Sequence, residues 1–196
     1  MTLVIDTGTT NLASMMAALR RLDLEPEPVT QADGIADATR VVLPGVGAFG
    51  AGMRRLDERG FSDPLRARIA AGRPLLAVCL GLQLLCETST ESPGVTGLGV
   101  LPVPVERFAT AAIVPQLGWN HVAPSPECTL LRDGYAYFAN SYRLTRAPAG
   151  WHAAFTTHGE RFVAAVERGP ILATQFHPEL SGAWGHDLLA AWGAAT

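Results

Sequence analysis

Cysteine is scarce in this chain. Cys79, Cys86 and Cys128 make neither an even-numbered set nor a Cys-x-x-Cys pair. That excludes a disulfide-stapled scaffold and a zinc ribbon, and it points to a reducing, cytoplasmic setting. Charge is scarce too: 17% of the 196 residues are charged and the net charge is −3. No general basic surface recommends nucleic acid as a partner. No run of roughly 18 consecutive apolar residues, as a membrane span needs, is present; the longest uncharged stretch, 108–126, is broken by three prolines, Gln116, Asn120 and His121. Residues 1–10 enter a strand without a basic leader, so neither membrane span nor signal peptide is expected. A Walker loop, a G-x-G-x-x-G after the first strand and His-Glu-x-x-His are all missing, and His121, His152, His158 and His186 lack ligand spacing. Neither a metal site nor a cofactor is expected. Internal repeats and a linker rich enough to split the chain are missing as well, so residues 1–196 are read as a single domain.

What the chain has is apolar sequence in short blocks. A hydrophobic share of 48% suits a sheet covered on both faces. Residues 2–5 read as a strand, and Leu12, Met15, Met16, Leu19 and Leu22 then recur at helical spacing. Residues 41–43 are a second strand, followed by helices over 53–59 and 64–71. A third apolar run ends in Cys79 and leads into a helix that fades around Glu87; residues 88–96 read as a loop. Beyond Leu98 come short strands at 103–108, 119–122, 135–140, 163–167 and 171–175, then a closing helix over 183–192. The expected class is α/β: a mostly parallel sheet, helices on both faces, and some antiparallel strands in the C-terminal half.

The stretch Pro74–Leu85 carries the first chemistry. Cys79 stands where strand turns into helix, with Ala77 two before it and Gly81 two after. A nucleophile on such a corner is exposed above a sheet, and the helix N-terminus favours its thiolate. An apolar strand is equally where an inert buried cysteine sits. Far down the chain Gln175-Phe176-His177-Pro178-Glu179 ends another strand. Residues two apart on extended backbone share a side, so His177 and Glu179 can face one place, with Pro178 holding the backbone extended. A carboxylate on one ring nitrogen leaves the other free to take a proton from a thiol. Cys79, His177 and Glu179 thus form a candidate triad. If neutral His177 takes that proton, activity falls as pH drops through its pKa.

The Leu80 amide, directly after the nucleophile, is a natural oxyanion donor. A second donor is available from Pro44-Gly45-Val46-Gly47-Ala48-Phe49-Gly50, if its strand lies beside that of Cys79. The peptide after Gly45 or Val46, and so the amide of Val46 or Gly47, could then turn inward. A simple turn remains the other reading of this loop.

The blocks Leu43–Gly50, Val78–Leu85, Val114–Asn120 and Gln175–Glu179 together resemble the class I (triad) glutamine amidotransferases over essentially the whole chain. Within them, the match is to the glutaminase subunits of imidazole glycerol phosphate synthase. The resemblance implies a flavodoxin-like amidotransferase fold. It implies that Cys79 attacks the side-chain amide of L-glutamine, that His177 moves protons and that Glu179 orients His177. Water then hydrolyses the γ-glutamyl thioester to glutamate. It also implies that Gln83 and Gly47 hold the substrate and that the backbone of Ser141 and Tyr142 binds its amino-acid end. The ammonia would pass to a separate (β/α)₈ cyclase subunit in a heterodimer, which makes imidazole glycerol phosphate and an aminoimidazole carboxamide nucleotide (AICAR) in histidine biosynthesis. Asn11, Gln116, Trp119 and Asn120 match positions near that interface, Trp119 close to the ammonia passage.

The chain departs from the family pattern at several points. Thr7 and Thr10 lie in the segment from Asp6 to Asn11, where Asp-Tyr-Gly-x-Gly-Asn is usual; Ala77 replaces the elbow Gly; Asn140 replaces a common His; Leu180 replaces a Lys that faces the cyclase. None touches the triad. They leave open a paralogue that feeds ammonia to a different synthase.

Overall fold

A computed structural model describes residues 1–8, 12–109 and 113–195. Strands β1 (Thr2–Ile5), β2 (Pro26–Val29), β3 (Arg40–Gly45) and β4 (Leu75–Cys79) alternate with helices α1 (Leu12–Arg20), α2 (Phe49–Glu58) and α3 (Ser62–Ala70). The short α4 (Leu80–Leu84) follows β4. The second half brings β5 (Cys86–Ser89), β6 (Leu101–Arg107), β7 (Gln116–Pro124), β8 (Gly134–Asn140) and β9 (Tyr142–Leu144). Then come β10 (His152–His158), β11 (Glu160–Arg168), β12 (Ile171–Thr174), a 3₁₀ turn (Pro178–Leu180) and α5 (Gly182–Ala194).

The sheet runs β2-β1-β3-β4-β12-β11-β10-β7-β8. It is parallel from β2 to β12 and antiparallel from β12 outward. In the parallel half successive residues enter opposite cores, as a period of two requires. Leu3, Val41, Leu43, Leu75, Ala77, Ile171 and Ala173 pack with Phe49, Met53, Leu56, Leu65 and Ile69 of α2 and α3. Val4, Val42, Leu76, Val78 and Leu172 pack on the other face with Met15, Met16, Leu19, Leu188, Leu189 and Trp192 of α1 and α5. Two apolar layers therefore enclose β4, every residue of which is buried. An apolar run without alternation is what such a strand needs.

Several boundaries differ from the sequence reading. The helix after Cys79 stops at Leu84 and the chain turns into strand, because residues 97–101 fold back onto it. Leu98 N–H donates to Leu84 O at 2.8 Å and Leu101 N–H to Leu85 O at 2.9 Å. Helix α2 begins at Phe49 rather than 53, since Glu91 and Ser92 satisfy the first amides from outside. The unanticipated strands lack clean signals. β2 is a proline-containing edge with half-exposed ends, β9 has three residues, and β10 mixes buried and exposed positions irregularly. Among the described residues no helix is long and apolar enough to cross a membrane.

Candidate active site

Strand β4 delivers Cys79 at the point where two backbones come closest. β3 and β4 pair in register, with Gly45 opposite Cys79. A Cβ on Gly81 would lie 2.0 Å from the Leu43 carbonyl oxygen, and one on Gly45 would lie 2.9 Å from Leu80 Cβ. Glycine is therefore required on both sides of the corner. Cys79 itself takes φ +56° and ψ −108°, a conformation that costs an L-residue about 1–3 kcal/mol. That strain turns the sulfur out of the strand and leaves the Leu80 amide first in α4, without an intrahelical acceptor. The neighbouring β3 ends in the loop with Val46 and Gly47, which the register places beside the elbow, as its oxyanion reading required. Gly47 has φ +104°, where glycine is favoured.

His177 and Glu179 meet by a different geometry from the one expected. The backbone is not extended through Pro178; residues 178–180 form the 3₁₀ turn, and His177 precedes it. The turn brings the Glu179 carboxylate to His177 Nδ1 at 2.8 Å. Three hydrogen bonds fix the turn, two of them to β8. His177 N–H donates to Tyr137 O at 2.9 Å. The Ser181 hydroxyl donates to His177 O at 2.6 Å and accepts from Tyr137 N–H at 2.9 Å. Ser181 is buried, and nothing in its sequence context marked it.

Burial works against charge on His177. Hydrogen bonding to Cys79 and Glu179, and the negative charge of each, outweigh it and push the ring up to about 10. The charged form of the ring is therefore favoured above the ordinary histidine range. The two partners favour the charged ring, so the reading in which neutral His177 takes the thiol proton would place the fall in activity at a raised pKa.

A cavity of about 340 Å³ opens in front of the elbow, lined by Val46, Gly47, Cys79, Leu80, Gln83, Glu91, residues 139–142 and His177. It gathers every sequence-read catalytic and oxyanion residue except Glu179, which reaches it through His177, and all four substrate-binding candidates. Gln83 donates to Tyr142 O at 3.3 Å and to Gln175 Oε1 at 3.0 Å. Gln175 in turn donates to Cys79 Sγ at 3.7 Å. This buried chain links the end of the cavity to the sulfur, and sequence reasoning assigned Gln175 no role. Glu91 was missed altogether, hidden in a stretch read as loop. The Ser141 carbonyl accepts from Phe108 N–H at 3.3 Å, and that of Tyr142 is taken by Gln83 and Asn140.

The interface candidates separate. Trp119 is 58% exposed and stacks edge-on against Tyr137. Asn120 is half-buried and donates to Thr157 O at 2.7 Å. Gln116 does not face outward: alternation along β7 buries it while Leu117 and Trp119 stay exposed. Asn11 lies outside the described residues. A larger groove, about 590 Å³ along Asn120, Phe155 and Arg161, holds no triad member.

The family model described as glutamine amidotransferase class-I matches residues 3–192. The imidazole glycerol phosphate synthase subunit HisH of Symbiobacterium thermophilum is 40% identical over 194 residues, covering 97% of this chain and 92% of that protein. The HisH subunit of Carboxydothermus hydrogenoformans is 39% identical over 193 residues, covering 96% of each. The chloroplastic imidazole glycerol phosphate synthase hisHF of Arabidopsis thaliana is 39% identical, with 95% of this chain matching 33% of that longer protein. A crystal structure of a glutamine amidotransferase superposes with TM-score 0.77 at 22% identity, covering 98% of this chain and 99% of the other. That likeness shows the fold. The chain belongs to the class-I glutamine amidotransferase family, among the HisH subunits of imidazole glycerol phosphate synthase.

Proposed function

We propose that this chain is the glutaminase subunit of an imidazole glycerol phosphate synthase and that Cys79, His177 and Glu179 carry its chemistry. The observation behind it is one cavity that holds a strained elbow cysteine and a histidine charged by that cysteine and a buried carboxylate. Cys79 Sγ attacks the δ-carbon of L-glutamine. The oxyanion is met by the Leu80 amide and by an amide of the Val46–Gly47 loop, each such donor giving about 3 kcal/mol. His177 gives its proton to the departing nitrogen, the C–N bond breaks and ammonia leaves a γ-glutamyl thioester. His177 then takes a proton from water, whose oxygen attacks the thioester. Glutamate departs and Cys79 is restored. Glu91, at the cavity wall, supplies the charge that complements the substrate's α-ammonium. Gln83, Ser141 and Tyr142 shape the same end.

The proposed partner is a cyclase subunit that takes the ammonia, docked over Trp119 and Asn120. The setting is cytoplasmic, with residues 1–196 acting as one amidotransferase domain. Cys79→Ala should abolish glutamate release, and a glutamine-like electrophile should alkylate Cys79 alone. Persistent activity in that variant would refute the triad. Hydrolysis should be weak in the isolated chain and rise with the cognate cyclase and its nucleotide ligand. A folded, active chain that the cyclase does not stimulate would favour the second reading, a paralogue serving another synthase. Leu180, 39% exposed where the family carries lysine, is the feature that favours it.

A further inference from the structure

Two buried carboxamides, Asn140 at the cavity wall and Gln116 one strand further out, each have an oxygen without a partner among the described residues. Asn140 is 5% exposed and Gln116 is 4% exposed. Asn140 Oδ1 and Gln116 Oε1 are both buried with no hydrogen-bond partner among the described residues. The two residues stand opposite each other in the β7–β8 ladder, on the inward face, so their Cβ atoms are about 4.5–5.5 Å apart. Asn140 Nδ2 donates to Tyr142 O at 3.0 Å. Because a carbonyl can only accept, that bond fixes which end of the amide is oxygen. Asn140 lines the cavity with Cys79 and His177, and the next carbonyl back along β8, Ala139 O, lies 4.0 Å from Cys79 Sγ. β8 is the strand to which His177 is bonded, so Gln116 on β7 sits one strand further out.

A buried acceptor left unpaired costs about 1–3 kcal/mol, and two on cross-strand neighbours call for a donor that arrives from elsewhere. We infer that Asn140 Oδ1 at the cavity wall, with Gln116 Oε1 behind it, forms the acceptor site for the nitrogen leaving group. It receives N–H bonds from the ammonia released as the substrate's C–N bond breaks and the thioester stays on Cys79. The inference rests on the glutaminase reading above. The substrate's other N–H group, the α-ammonium, is positively charged and has the Glu91 carboxylate in the same cavity. The departing group is neutral, and neutral carboxamides suit it: they accept its hydrogens without supplying a proton or a charge that would hold it as ammonium.

The test is the ratio of cyclase product to glutamate, measured with the complete complex at a cyclase concentration that saturates stimulation. The wild-type ratio is expected near one. Gln116→Met, which keeps length and loses the acceptor, should lower that ratio at least about twofold, the missing nitrogen appearing as free ammonia. Gln116→Asn, which keeps a carboxamide oxygen, should recover part of it. Product formation by the cyclase from added ammonium salt, without glutamine, serves as the control for the acceptor half-reaction. A ratio in Gln116→Met equal to wild type would overturn the inference while leaving the glutaminase reading intact; absence of glutamate release by the wild-type chain would overturn that reading instead. Asn140→Leu gives an independent arm: a fall in the ratio supports the site. A raised KM for glutamine with an unchanged ratio would mean that Asn140 serves the α-ammonium, and would refute it.

Discussion

The charge on His177 is set by two neighbours, and each can be removed separately. Because the folded value lies near 10 and free histidine titrates near 6.5, the fold favours the charged ring. The sign follows: the imidazolium persists through neutral pH and is lost only as pH rises toward 10. Glu179→Gln takes away one of the groups that raise it, so the His177 ring titration followed by NMR should move to lower pH. Activity should fall about 10²-fold or more in the same variant, since the ring loses both its orienting partner and its charge balance. Gly81 is governed by sterics. With the Leu43 carbonyl 2.0 Å from a would-be Cβ, Gly81→Ala must push the start of α4 away from β3. A loss of at least about 3 kcal/mol is expected, read calorimetrically as a fall in Tm of roughly 6–12 °C.

Among the elements, the 3₁₀ turn depends most on something outside itself. Its three residues cannot hold His177 and Glu179 alone, and Ser181 ties them to β8 from both directions. Ser181→Ala should lower kcat several-fold to tenfold, as expected for losing hydrogen bonds of about 1 kcal/mol each, with KM for glutamine little changed. A steady-state comparison of the two constants checks this; a change confined to KM would place Ser181 with the substrate instead. The loop at 88–96 shows the same dependence in another form. It looks like a connection, yet Glu91 accepts from Phe49 N–H at 2.7 Å, complements the N-terminus of α2 and still reaches the cavity wall. A capping carboxylate 42 residues from its helix leaves no local signature.

Across the whole molecule, the exposed apolar side chains gather on the outer face of the β7–β8 ribbon and next to it. Leu117, Trp119 and Tyr135 are each more than half exposed, and Leu180 is 39% exposed. Trp119 crosses Tyr137, whose backbone carries the His177 bridge, so a partner seated there would press on the strand that holds the triad. Under the proposed function, Trp119→Ala should raise the cyclase concentration needed for half-maximal stimulation by about tenfold or more, while unstimulated glutamate release stays measurable. Titration of glutamate formation against cyclase provides the check.

Sequence alone determined the parts that are local or continuous. The apolar run into Cys79 had to be a doubly buried strand, Gly81 had to follow it, and Gln175–Glu179 could bring a histidine and a carboxylate together at any bend that kept them on one side. Each depends on the properties of neighbouring residues. Tertiary structure decided what depends on residues distant in the chain. It shortened α4 by folding residues 97–101 back onto it, and it joined His177 to Glu179 through a 3₁₀ turn held by Ser181. It also turned Gln116 inward opposite Asn140 and set Cys79 and Glu179 around one imidazole. Hydrogen bonds and burial between distant segments fix these outcomes, and such pairings are energetic facts of the assembled chain that no local pattern encodes.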